Sequence, residues 1–283
     1  MKTRSLVSVV RSLSPVTLVA LVVTVAIILL AIAAPLVAPF DPVVLDAAGR
    51  FAPVGDPNHL LGADQYGRDT LSRLLYGARV ELLTAASASV LSMAVGTVIG
   101  LVAGYYQRFV GAVLMRFIDV VLALPALILA LFAVTLYGPG EATLIIVMGL
   151  VFTPAFARIA YGQTLTVAQA EYVESARLFG ASDLAILFRE ILPNILAPLV
   201  VQFTLTVASA ILLESGLSYL GLGIVPPAPS WGAMVADGQR YMATEPQLLL
   251  LPALAVVISI LAVALLADGL RTALNPRSHR RSA

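Results

Sequence analysis

Cysteine is absent from this sequence, and lysine occurs once, at Lys2. The missing thiols exclude disulfides, thiolate metal sites and cysteine nucleophiles. The missing lysines exclude a nucleotide-binding P-loop, which needs glycine, four residues, then Gly-Lys-Ser/Thr. Only His59 and His279 carry imidazole, one in a hydrophilic loop and one in a terminal tail, a poor basis for a metal site. There is no Gly-x-Ser-x-Gly element for a serine nucleophile, and no basic, aromatic-rich face for nucleic acid. Charge is scarce as well. Charged residues make up 12% of the chain and apolar ones 60%, against about 25% charged in a soluble domain. A chain of 283 residues cannot hide that much apolar surface in a water-soluble core. Its main solvent is lipid.

Roughly 20 apolar residues cross a bilayer as a helix. Six stretches qualify, near residues 16–38, 82–105, 112–136, 142–160, 195–222 and 248–270. Each must be helical, because lone strands in lipid leave backbone groups unpaired. The first, preceded by Lys2 and Arg4, is too long for a signal-peptide core and reads as an uncleaved span. Lys2, Arg4, Arg11, Arg108, Arg116, Arg158, Arg177, Arg189, Arg271, Arg277, Arg280 and Arg281 put twelve of the seventeen basic residues on one side. By the positive-inside rule that side is the cytoplasm, with both termini. The chain then divides into residues 1–81 (terminus, first span, long outer loop), a membrane core over 82–272, and a basic cytoplasmic tail over 273–283.

Between the fourth and fifth spans lies a charged cytoplasmic island. Tyr172, Val173, Ala176 and Phe179 follow helical spacing, with Glu171, Glu174 and Arg177 on another face. Gly180 suits a left-handed C-terminal cap, and Ser182 with Asp183 suits the start of a second helix. That helix carries Leu184, Leu187, Phe188 and Ile191, and Pro193 either ends it or sets the start of the fifth span. Taken by itself, such a pair lies on lipid headgroups or docks a protein. Its spacing resembles the EAA loop of ABC importer permeases: Glu174-Ser175-Ala176, three residues, Gly180-Ala181, then Leu192-Pro193. The resemblance implies that residues near 162–193 couple to a separate ATP-hydrolysing subunit through Glu171, Tyr172, Glu174, Ser175, Ala176, Arg177, Gly180, Ala181, Leu192 and Pro193. Ser175 replaces the usual middle alanine, and Glu190 stands where the pattern has isoleucine.

Two outer segments narrow the resemblance. One holds Asp64, Gly67-Arg68-Asp69 and Arg73 and is similar to the Gly-Arg-Asp-x-Leu-Ser-Arg stretch of dipeptide/oligopeptide/nickel permeases. Asp69 and Arg73 stand four apart and are expected to pair on one helix face. The segment reads as an interfacial helix leading into the second span, or as a contact with an external binding protein or gate. The other segment, Leu217-Ser218-Tyr219-Leu220-Gly221-Leu222-Gly223 followed by Pro226-Pro227 and Trp231-Gly232, resembles the C-type (DppC/OppC-like) subunit of the same permeases. Trp231, the only tryptophan, is expected to anchor at the membrane interface. Glu214, Ser218, Tyr219, Gly221 and Gly223 are candidates for the pathway or gate, and Glu214 is a candidate to meet a partner's arginine. Arg116 and Asp119 are expected to form an intrahelical pair or to serve helix contacts. Pro125 and Pro154 are expected to kink the third and fourth spans.

The family resemblance implies an all-α integral membrane protein with six transmembrane helices in the type I ABC importer (MetI-like) permease fold. It implies no cofactor on this chain, with ATP and Mg2+ on two ATP-binding partner subunits. The remaining expected partners are a homologous B-type permease, an extracytoplasmic solute-binding protein and the bilayer of a prokaryotic inner membrane. An ion-gradient-driven transporter would need broken helices and ion-binding polar groups near the midplane, often in two repeats. A scaffold subunit without transport is the third reading.

Overall fold

The computed structural model of the protein describes residues 14–274. Expectations that rest on Lys2, Arg4, Arg11, Arg277, His279, Arg280 and Arg281 lie outside those residues. Among the described residues the regular structure is helical. α1 (Pro15–Val37) starts at Ser14, whose hydroxyl accepts from the Thr17 amide at 3.2 Å, with proline at the first helical position. α2 (Thr70–Tyr106) has 37 residues and is capped by Asp69, whose carboxylate accepts from the Ser72 amide at 2.7 Å. At roughly 1.5 Å per residue it is about 55 Å long, far more than the ~30 Å hydrocarbon layer. Its first turns therefore belong to a layer beyond the lipid core. α5 (Glu141–Val167), α7 (Asp183–Tyr219) and α9 (Gln247–Leu274) complete a set in which five helices are long and apolar enough to cross a membrane.

The expected third span is not one helix. α3 (Arg108–Ala123) and α4 (Ala126–Tyr137) meet at an 87° bend, so the sixth crossing is present only if this broken pair counts as one. Pro125 is the cause. It offers no amide to the helix ladder, and it drives Leu124 to extended geometry, φ −90° and ψ 128°. Pro154, by contrast, lies within a continuous α5.

The island after α5 forms α6 (Glu171–Leu178) and then joins α7 directly. The second helix expected to stand apart before Pro193 is instead the first part of α7. A wide π turn over Ile186–Ile191 makes this continuity feasible, and the Leu192 amide donates to the Leu187 carbonyl five residues back. A turn of that width lets the chain absorb the missing amide and ring bulk of Pro193 without breaking. The Asn194 side chain also donates to the Glu190 carbonyl at 2.6 Å.

The packing centre is the α2–α5 pair. Gly96, Gly100 and Gly104 recur every fourth residue on α2, so they form one stripe against α5. A Cβ on Gly96 would sit 2.5 Å from the Thr153 carbonyl oxygen, and one on Gly100 would sit 2.5 Å from the Ala160 Cβ. The two backbones touch, as small-residue stripes allow in membrane helices. Toward the α6 end the core holds Leu101, Phe156, Ile186, Ile191 and Ile195, and at the other end Ala85, Leu144, Met148 and Ile211. α9 packs on α7, α1 and the short α8 (Trp231–Gln239).

Candidate functional site

α6 and the bend after it present a built knuckle. Glu171 and Glu174 occupy the first turn of α6 and Arg177 the last, in line with the helix dipole. The Gly180 amide donates to the Arg177 carbonyl and the Ala181 amide to the Ala176 carbonyl, both at 3.0 Å. This is a Schellman closure, and it requires the positive φ of Gly180, +79°. Ser182 then caps α7, accepting from the Ala185 amide at 3.4 Å.

The expected apolar stripe divides. Val173 is fully buried against Ile186, Leu187 and Ile191, which fixes α6 to its own chain. Tyr172 points outward, and Leu178 and Phe179 are 82% and 91% exposed, beside exposed Leu184 and Phe188. One departure from the family pattern finds a local partner, and a neighbour makes good the other. The Ser175 hydroxyl donates to the Glu171 carbonyl at 2.9 Å, so its polar group turns back on its own helix. Ile191 supplies the buried apolar contact next to Glu190, while Leu192 is half-buried and Pro193 exposed.

Sequence reasoning missed what holds the knuckle to the bundle. The Tyr105 hydroxyl donates to Asp183 Oδ1 at 2.7 Å, and the Tyr106 hydroxyl donates to Oδ2 at 3.1 Å. The Arg177 guanidinium lies 5.4 Å from the centre of the Tyr105 ring. One carboxylate thus joins the end of α2 to the start of α7. The adjacent tyrosines at the end of the second span were the available signal. Replacing both by phenylalanine is expected to speed limited proteolysis of residues 168–183 several-fold. The melting temperature should stay within about 3 °C, because the core is untouched.

At the opposite end, the charged motif folds inward. Asp64 Oδ1 accepts from the Tyr66 and Arg68 amides at 2.8 and 3.0 Å, and Oδ2 accepts from Arg68 Nε at 2.6 Å. Arg73 Nε lies 3.6 Å from the same Oδ2, and its terminal nitrogen donates to the Pro42 carbonyl at 3.0 Å. The expected Asp69–Arg73 side-chain pair does not form. Asp69 is used as the cap of α2 and lies 3.0 Å from His59 Nδ1, which leaves Arg73 to Asp64. Gly67 has φ +76°, and a side chain there would strike the Asp46 carbonyl. These motif charges hold the long loop on α2 rather than facing solvent.

Trp231 departs from the expected interfacial anchor. It is 3% exposed, its indole donates to the Leu74 carbonyl at 3.0 Å, and its ring covers Gly77. An indole meets its need for one apolar body and one acceptor equally well at a lipid interface or over a glycine.

The remaining candidates gather at the end of α7. Gly221, φ +77°, closes α7, as its amide donates to the Ser218 carbonyl and the Leu222 amide to the Leu217 carbonyl. A Cβ on Gly223 would strike Ser218, whose hydroxyl oxygen accepts from the Ile224 amide at 3.2 Å. The Tyr219 hydroxyl donates to Gln239 at 2.5 Å. Glu214 has no exposed surface in this chain and accepts from Ser218 at 2.6 Å. Asp119 does not pair with Arg116 along α3. It accepts from Arg158 of α5 at 2.8 Å, a tie between helices. Beside Arg158, a cleft of about 740 Å3 opens between α5, α7 and α9, with Gln163, Gln202 and Arg271 on its walls. Among the described residues no cluster of histidine and carboxylate side chains could hold a metal ion.

The family described as the binding-protein-dependent transport system inner membrane component matches residues 96–280. The chain is 40% identical over 256 residues to the di/tripeptide transport system permease protein DppC of Pseudomonas aeruginosa, covering 89% of this chain and 84% of that protein. It is 40% identical over 219 residues to the glutathione transport system permease protein GsiD of Escherichia coli, covering 77% and 72%. Its fold is similar to a chain of the inward-facing MetNI methionine ABC transporter, with a TM-score of 0.56 at 17% identity over 72% of this chain and 96% of that one. The chain therefore belongs to the binding-protein-dependent transport system inner membrane components, as a DppC/OppC-like permease subunit of an ABC importer with the type I fold.

Proposed function

We propose that this permease forms half of a pathway for di- and tripeptides or related small peptides and couples it to ATPase subunits through α6. The observation that carries the coupling is the exposed apolar knuckle of Leu178, Phe179, Leu184 and Phe188 on a base fixed by Val173 and Asp183. An exposed apolar patch on a rigid base suits a protein groove. The positive-inside distribution supports a cytoplasmic position for that knuckle and both termini, and the bacterial relatives support a prokaryotic inner membrane. A homologous permease completes the pathway, two ATP-binding subunits carry ATP and Mg2+, and an external binding protein delivers solute. ATP shifts the balance between two packings of the helices by binding one of them more tightly. The names of the relatives support a peptide cargo.

Reconstitution with a partner permease, ATPases and binding protein is expected to give vanadate-sensitive peptide uptake. Equal uptake without nucleotide, driven by an ion gradient, would overturn this reading. Within the pathway, Arg271 of α9, on the wall of the cleft between α5, α7 and α9, is suited to a peptide carboxylate. Changing Arg271 to alanine is expected to lower dipeptide uptake about tenfold, the loss of one modest charge contact, while ATP hydrolysis continues.

A further inference from the structure

A second cluster of ionisable groups lies far from α6. Glu81 of α2 and Glu214 of α7 are both fully buried, and Ser215, the residue after Glu214, brings the two together by bonding Glu81. The Ser215 hydroxyl donates to Glu81 Oε1 at 2.7 Å. Ser218 and Ser230 donate to Glu214 Oε1 at 2.6 and 3.3 Å. Oε2 of each carboxyl is buried and has no partner. Neither carboxyl forms an ion pair among the described residues.

Two carboxylates side by side in an apolar site cannot both be ionised. A count of donors and acceptors requires at least one proton. With none, two charged carboxylates lie buried together, each with an oxygen that has no partner. With two, the second O–H must compete with a serine hydroxyl for an Oε1 that already accepts. With one, an O–H on one carboxyl can donate to the other in a strong charge-assisted bond, which gives the orphan oxygens a use. We propose that Glu81 and Glu214 bind a single shared proton, and that this pair clamps α2 to α7 and, through Ser230, to the segment leading into α8. The site is independent of the cargo and of the coupling knuckle.

The test uses the purified full-length chain in nanodiscs at about pH 8, where ordinary carboxyls are ionised. Infrared spectra are expected to show a protonated carboxyl stretch that is lost in both Glu81→Gln and Glu214→Gln. Each glutamine supplies an acceptor oxygen and an N–H donor in the places the protonated pair uses, so both variants should melt within about 3 °C of the parent. Glu81→Ala, which leaves Glu214 without its partner, should lose more than about 5 °C. No protonated band in the parent, or a band that persists in both glutamine variants, would overturn the proposal. So would a Glu81→Gln protein as unstable as Glu81→Ala. If the alanine variant does not fold, the parent and glutamine spectra decide alone.

Discussion

Replacing Gly100 by leucine is expected to leave almost no folded permease in the membrane. A Cβ at Gly100 already lies 2.5 Å from the Ala160 Cβ and 2.7 Å from the Tyr161 amide nitrogen, and most of what it meets is backbone. Rotating a neighbouring side chain cannot relieve that clash, so α2 and α5 would have to move apart. Separation would also loosen Gly96 and Gly104 on the same stripe, along with the core around Leu101 and Phe156. Overpacking a tight core costs about 1–3 kcal/mol for extra methylenes where neighbours can yield. Here the neighbours are main chain, and the loss should exceed that range. Gly100→Ala should fold with a melting temperature about 5 °C lower or more. Gly162, whose Cβ would meet nothing within 4 Å, is the control and should tolerate alanine. The measurement is monodisperse yield and thermal melting in detergent. Normal yield of the leucine variant would show that the two helices do not touch at this stripe.

Replacing Gly180 by proline is expected to abolish peptide uptake while ATP hydrolysis persists and the chain stays in the membrane. Proline locks φ near about −65°, whereas residue 180 needs +79°. The substitution also removes the amide that donates to the Arg177 carbonyl. Both effects act on the closure that sets the angle between α6 and α7, and neither touches the buried helix contacts. No atom lies within 4 Å of a Cβ placed at this site, so the effect is one of backbone angle, not crowding. Gly180→Ala is the graded case, costing about 1 kcal/mol or slightly more for the left-handed conformation, and it should keep part of its uptake. Transport and ATPase rates measured on the same vesicles separate coupling from stability. Unchanged uptake per ATP in the proline variant would remove α6 from the coupling role.

Much of this architecture is legible in the residue pattern, because the forces that set it are local. Long apolar runs give the helices, and Gly180 with Ser182 gives the bend and the next cap. What is not legible depends on partners distant in sequence. Asp69 has three neighbours that could use its carboxylate, and the helix cap and His59 take it before Arg73 does. Asp119 chooses Arg158 over the nearer Arg116 because α3 lies against α5. Trp231 turns inward because Gly77 leaves room for a ring, a fact held 154 residues away. The π turn before Pro193 has no periodic signature at all. The glycines at 96, 100 and 104 are the opposite case, a readable stripe overshadowed by the hydropathy of the span that contains it.

α2 differs from the other long helices in one respect. α1, α5, α7 and α9 each contain an internal proline, at Pro35, Pro154, Pro198 and Pro252, and α2 contains none. Its first residue is fixed by Asp69 and the folded loop, and its last two by Asp183. Helices bend sharply at proline or where the hydrogen-bond ladder is interrupted. A strut without such a joint has no slack to lose. Any tilt imposed at the tyrosine end is delivered across the full thickness of the membrane, and the folded loop must travel with it.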